Sequence, residues 1–239
     1  MEFLNNFFHV ILYQPLFNIL ILFYQYLPGK DLGIAIISLT FLVKILLYPL
    51  NLKAIIIQKS LNEIQPKIKE IQERYKGDKQ QQAVEVMALY KKEGVNPFAG
   101  FFVSLVQIPI LIALFWVFWG GLQPEKLNNL YSSVPHPGLI NPLFLGFLNL
   151  GQPSVILAVI AGVGQFLQVK MLTPSFKEQA QKKQNASDFS QIMQKQMLYL
   201  APVFTVLILL KLPSGVGLYW LTTSLFSIAQ QYFILKKHA

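Results

Sequence analysis

Across 239 residues the chain is 54% hydrophobic and only 13% charged, carries a formal net charge of +9 and contains no cysteine. That balance belongs to a membrane protein rather than a soluble domain, and the lack of cysteine excludes disulfide frameworks and thiolate metal sites. Basic residues in such a chain usually mark cytoplasmic loops, so the charge is no nucleic-acid signature and no sequence-specific nucleic-acid binding is expected.

Residues 1–28 have neither the basic leader nor the small-residue cleavage site of a removable signal peptide. The stretch is apolar but broken by Gln14, Pro15, Asn18 and Gln25. Those breaks suit a first membrane crossing and an amphipathic helix lying in the interface about equally. The first firm span is Leu32 to Leu52, LGIAIISLTFLVKILLYPLNL, about the ~20 apolar residues that a membrane helix needs. Lys44 lies inside it, where an ammonium costs on the order of 2.5–3.5 kcal/mol or more. Two readings are open: a functional cation in a wet cavity, or a lysine whose stem snorkels to the headgroups. The end of the span is roughly 9–12 Å away at ~1.5 Å per residue, a long reach for one side chain.

The chain leaves the membrane at Tyr48-Pro49-Leu50-Asn51, and residues 53–93 are polar and periodic. Ile57, Leu61, Ile64, Ile68, Ile71 and Tyr75 recur at alternating spacings of four and three, the seam of a coiled-coil-like helix. Pro66 is expected to bend or interrupt that helix. Lys76-Gly77-Asp78 marks a turn, and a second helix follows with Ala83, Met87 and Tyr90 on one face. The expected unit is an antiparallel helical hairpin in water, longer than a connector needs to be, which points to docking or gating.

Asn96-Pro97 opens a second span at about 98–119, with Asn as cap and Pro at the first helical position. Residues 120–153 carry Pro124, Pro135, Pro137, Pro142 and Pro153 and read as a loop with an interfacial piece from Leu143 to Leu150. A third span covers about 154–172, and residues 173–196 are polar and expected to be flexible. Two last spans, 197–212 and 215–235, flank the turn Leu212-Pro213-Ser214-Gly215. Nine basic residues fall in 51–96, four in 173–196 and two more, Lys236 and Lys237, in the tail. The other side has Lys30, Lys126 and Lys211, so both charged loops and the C-terminus are expected in the cytoplasm. No internal repeat is visible.

Polar residues inside the spans fall at helical spacing, which puts them on shared faces. Thr40 and Lys44 are four apart. Asn96, Gly100, Ser104 and Gln107 form a stripe, as do Tyr219, Thr223, Ser227 and Gln230, with Trp220 alongside; the third span offers Gln165 and Gln168. Any one Ser or Thr is most simply inter-helical glue at ~0.6 kcal/mol. Taken with a lysine that needs solvation, the stripes point to one hydrophilic pocket. No firm span contains Asp, Glu or His, and His9, His136 and His238 are scattered. No proton relay, metal cluster, catalytic triad or nucleotide loop is suggested, so neither an enzyme nor a cofactor is expected.

Several segments resemble, in order, the YidC/Oxa/Alb family of membrane protein insertases. They are YQPLFNIL (13–20), LTFLVKILLYPL (39–50), IQPKIKEIQERYKGD (64–78), ALYKKEGVNPFAG (88–100), VQIPILIALFWVF (106–118) and LPSGVGLYWLTTSLFSIAQQ (212–231). Together they cover nearly the whole chain. The resemblance implies an all-α polytopic membrane protein: a five-helix transmembrane core (31–239) with a hydrophilic groove open to cytoplasm and lipid, the cytoplasmic hairpin 53–93 and loop 173–196, and an N-terminal interfacial helix within 1–30. It implies insertion of newly made membrane proteins in a bacterial-type inner membrane. The implied partners are nascent chains and the lipid bilayer, with the ribosome and a Sec-type translocon as further candidates. The family's groove arginine falls on Lys44, and its groove-lining positions map onto Gln107, Gln168, Tyr219 and Trp220. With Thr40, Ser104, Gln165 and Thr223 these make the candidate substrate groove. Lysine for arginine keeps the charge but loses the planar five-donor fork. The large external domain of some members has no counterpart, and Lys236-Lys237-His238 stands where others have a basic extension. A small-solute or anion transporter with Lys44 as binding charge is the alternative, and a passive assembly scaffold is a third.

Overall fold

The computed structural model describes residues 6–96, 99–120, 124–172 and 188–237, and the side chains among them except those of 99–104, 120, 124–126, 188–195 and 197. Eight helices are described: α1 (Asn6–Tyr26), α2 (Leu32–Leu46), α3 (Tyr48–Arg74), α4 (Lys79–Lys92), α5 (Ala99–Gly120), α6 (Val155–Leu172), α7 (Asp188–Leu209) and α8 (Ser214–Lys237). α8 is central: it packs on α2, α5, α6 and α7, while α1 lies against α2 and α5. The core is greasy and closely filled, with Phe17, Leu20, Ile21, Ile36, Leu39, Leu114, Val117 and Leu150 almost wholly buried.

By length and apolarity, α1 and α6 could each cross a membrane alone, and α2 with α3 passes as a pair bent by 66°. α5 and α7 contribute shorter apolar stretches, Leu105–Trp119 and Leu198–Leu209. The helix that opens the first span ends at Leu46 rather than running straight to Leu52: Pro49, with no N–H to give, is accommodated in the first turn of a new helix.

Asp31 starts α2. Its Oδ1 accepts the N–H groups of Gly33 (2.7 Å) and Ile34 (3.1 Å), which satisfies donors that a helix start leaves free. Its Oδ2 accepts the N–H of Leu145 (2.6 Å) from the loop that follows α5. That loop is more ordered than its prolines suggest. Leu143–Phe144 (β1) and Leu148–Asn149 (β2) pair antiparallel, so the expected interfacial piece is a small hairpin. Gly33 is what lets it close: a Cβ there would sit 2.1 Å from the Phe144 ring.

The charged stretch is the hairpin α3–α4. Ile64 and Ile68 are buried at the middle of the expected seam. Asp78 caps α4 through Gln80 N (3.1 Å) and Gln81 N (3.0 Å), and Gln82 donates to the Gln72 carbonyl (2.8 Å) across the turn. Of bending or interruption at Pro66, interruption is not seen, and the face expected of α4 is corrected. α3 continues through Pro66, which faces solvent, where water can satisfy the carbonyl that the missing N–H abandons. On α4, Ala83 and Met87 are exposed, and the half-buried residues are Gln82, Glu85, Val86, Leu89 and Tyr90. Asn62 on α3 donates to the Leu172 carbonyl (2.7 Å) at the end of α6, tying the hairpin to the core.

At the base of the hairpin, Lys67 and Glu93 meet at 2.7 Å. The hydrogen bond from Lys67, then its charge, holds the Glu93 carboxyl below its ordinary value. A lowered carboxylate pKa means that the pair contributes above the ordinary carboxylate range and is lost as pH falls through the lowered value. Spin-label distances between α3 and α4 are expected to be narrow at neutral pH and to broaden in acid. Glu93→Gln should show the broad distribution already at neutral pH. The effect is small because the pair faces solvent.

Asn96 precedes α5, but Pro97 lies outside the described residues. Much of 173–196 lies outside them as well. Its last part, expected to be flexible, is helical from Asp188, the start of α7.

Candidate functional site

Thr40 and Lys44 lie four residues apart on the face of α2 that meets α8, and both are buried. Thr40 donates to the Ile36 carbonyl one turn back (2.7 Å), so its hydroxyl is satisfied within its own helix. Lys44 has no such local partner. Its Nζ donates to Ser227 Oγ on α8 at 3.3 Å, and the residue is 5% exposed. The ammonium is enclosed by helices rather than extended to a membrane surface. Among the described residues the ion pairs are Lys59–Glu63 and Lys67–Glu93, both in the hairpin, so a neutral hydroxyl is the partner shown for Lys44.

More polar atoms gather at this end of α8. Gln230 donates to the Tyr48 carbonyl (3.4 Å), just past the bend between α2 and α3. Neighbouring Gln231 is buried with its Oε1 unpaired, and Asn51, in the first turn of α3, has a buried, unpaired Nδ2. An ammonium has three donors and the hydroxyl uses one. Lys44 and Asn51 therefore leave buried donors unused beside the bend, and Gln231 leaves a buried acceptor unused on α8, which a buried region does only at a cost.

The remaining candidates fall into separate places. Trp220 Nε1 donates to Gln165 Oε1 (3.0 Å), joining α8 to α6. Tyr219 is buried with its ring 5.5 Å from that of Phe118 on α5. Thr223 lies one turn beyond Tyr219, its buried hydroxyl without a well-formed hydrogen bond. Gln107 on α5 and Gln168 on α6 are half-buried, and the Ser104 side chain is outside the described set. The candidates thus sit on α2, α5, α6 and α8; among the described residues the Trp220–Gln165 hydrogen bond joins two of them, and Lys44 reaches α8 through Ser227, which was not a candidate.

The site list taken from the sequence lacked Ser227, Gln230, Gln231 and Asn51. The stripe along α8 was a signal for the first two. Nothing local singles out Gln231 or Asn51, whose polar atoms matter only because the α2–α3 bend and α8 bury them.

A family model described as 60Kd inner membrane protein matches residues 22–239. The chain is 36% identical to the membrane protein insertase YidC of Fusobacterium nucleatum over 209 residues, 87% of this chain and 88% of that protein. It is 36% identical to YidC of Wolinella succinogenes over 223 residues, 93% of this chain but 37% of that one. Its fold is similar to the structure titled "Active YidC insertase crystal structure with the first transmembrane domain resolved", with a TM-score of 0.56 and 26% identity, covering 92% of this chain and 46% of the other. The chain therefore spans most of one relative and less than half of the other two.

Proposed function

Because the chain belongs to the 60Kd inner membrane protein family, we propose that it is an insertase that integrates newly synthesised membrane proteins and helps them fold. The observation that carries the mechanism is the enclosed Lys44 ammonium, held by the Ser227 hydroxyl. A cation so placed attracts acidic residues in the short segment of a substrate that must reach the far side. Polar side chains from α2, α5, α6 and α8 form a hydrophilic groove that lowers the cost of drawing this segment part-way across. The substrate's apolar helix then moves into lipid, driven by burial at roughly 25 cal/mol per Å². No covalent step is involved. With Lys44 enclosed as it is, a carboxylate reaches it only when the α2–α8 packing at Ser227 parts.

In this reading the hairpin α3–α4 and the C-terminus are cytoplasmic, by their excess of lysine and arginine. The loop between α5 and α6 is then external. Along α1, Gln14, Asn18, Tyr24 and Gln25 all hydrogen-bond to residues 129–141 of that loop. A helix accompanied by an external loop along its length fits the outer interface better than a crossing. The hairpin receives the incoming chain, which reaches it from the ribosome directly or beside a Sec-type translocon.

Expression in cells depleted of their own insertase tests the function. The chain is expected to restore growth and the insertion of a single-span reporter. A transporter instead would leave insertion defective, and the purified protein in vesicles would catalyse flux of a small anion.

A further inference from the structure

The hairpin β1–β2 sits where α2, α6 and α8 begin. Leu150, just past β2, accepts the N–H of Gly215 (3.0 Å), and Gln152 accepts that of Ser214 (2.9 Å). Asp31 and the Gly33–Phe144 notch fasten the hairpin's other side to α2. A segment held this firmly would be expected to turn its apolar residues inward. Phe144 does so, while Leu145 is 60% exposed and Phe147 76% exposed.

The turn itself makes this harder to dismiss. Leu145 (φ 51°) and Gly146 (φ 80°) both have positive φ, and Phe147 N–H closes the turn on the Phe144 carbonyl at 3.2 Å. Such turns favour Asn, Asp or Gly at the first of these positions, and a branched apolar residue there is sterically disfavoured. Leucine at a strained tip with no protein around it is explained if something outside the chain covers it. The surface beside it says what. Val155 and Ile156, at the start of α6, are widely exposed, and Val159, Ile160 and Val163 continue the exposed apolar band along that helix. α6 is long and apolar enough to cross a membrane, and an exposed apolar band on such a helix suits acyl chains rather than water. The hairpin lies at the same end of the fold, a few residues before α6 begins and tied to the first residues of α8. Its exposed Leu145 and Phe147 therefore stand where such a helix leaves the acyl chains and where apolar side chains seat in the headgroup boundary.

We propose that the Leu143–Asn149 hairpin is a lipid anchor, with Leu145 and Phe147 seated in the headgroup–acyl boundary of the bilayer. It fixes the depth of the ends of α2, α6 and α8 together. Assignment to the outer leaflet rests on the topology proposed above. Contact with lipid does not depend on that topology.

The chain has no native cysteine, so Leu145→Cys and Phe147→Cys each give one label site without disturbing the core. Each would carry a polarity-sensitive fluorophore in the full-length protein, reconstituted in phosphatidylcholine–phosphatidylglycerol vesicles. Ser132→Cys, on the exposed part of the same loop, is the aqueous control. The expected result is blue-shifted emission at 145 and 147, severalfold weaker quenching by iodide than at 132, and strong quenching by lipids spin-labelled near the headgroup in both leaflets. Iodide quenching equal to the control would overturn the anchor. Shielding from both quenchers would also overturn it, because a protein surface, from a second copy or another chain, would then cover the tip. An insertase that restores growth while its hairpin is quenched by iodide separates failure of this inference from failure of the proposed function.

Discussion

Replacing Lys44 with alanine is expected to slow insertion of a single-span substrate with an acidic external tail by about ten- to a hundredfold. The estimate follows from a hydrogen bond to a charged group, about 1.5–3 kcal/mol, at roughly 1.4 kcal/mol per tenfold. Lys44→Arg should keep most of the activity, because guanidinium is always protonated and adds donors that a carboxylate can engage in pairs. Ser227→Ala, which removes the neutral hydroxyl that Lys44 contacts, should have a smaller effect than losing the charge. The measurement is insertion of the reporter at matched expression in insertase-depleted cells, alongside a reporter with a neutral tail. Sensitivity to Lys44→Ala confined to the acidic tail identifies charge capture. Full activity of the alanine variant would leave hydrophilic shape and local thinning of the bilayer as the working parts.

The second large effect is structural and concerns the approach of α6 to α7. A Cβ on Gly162 would lie 2.4 Å from Val206 Cγ2 and 3.4 Å from the Pro202 carbonyl oxygen. Alanine normally favours a helix over glycine by about 1 kcal/mol. Here the neighbour cannot yield: valine in a helix is held to essentially one χ1 rotamer, so the helices must separate instead. Overpacking of this kind costs about 1–3 kcal/mol and outweighs the gain in propensity. Gly162→Ala should lower the thermal unfolding midpoint in detergent, and Val206→Ala alone should lower it modestly through lost packing. The double variant should be more stable than the two single losses predict, with a coupling of about 0.5–3 kcal/mol. Simple addition would mean that the two residues do not meet.

Much of this protein is legible in order along the chain because helix formation in apolar and amphipathic stretches is local. A run such as 154–172 has to satisfy its backbone within itself, and the four–three spacing from Ile57 to Tyr75 places one seam on one face. Asp78 is readable as a cap because its partners are two and three residues away. The misreadings share one cause. Pro66 is expected to bend or interrupt α3 and does not interrupt it, because whether a lost hydrogen bond matters depends on which side of the helix water reaches. Residues 143–150 read as an interfacial piece of a loop; what stays hidden is that they form a hairpin fastened to Asp31, more than a hundred residues earlier, which accepts the N–H of Leu145.

The sequence by itself determined that this is a helical membrane protein, where its apolar helices run, and that one lysine is stranded among apolar residues with no acid or histidine in the same span. These follow from composition and period, which are properties of short stretches. The tertiary structure alone decided who answers that lysine. Ser227 is 183 residues away, one of several hydroxyls on similar stripes, and it was selected by how α2 crosses α8. The same holds for Gln165 meeting Trp220. A polar side chain in an apolar helix must find a partner somewhere, and which one it finds is set by the packing of whole helices.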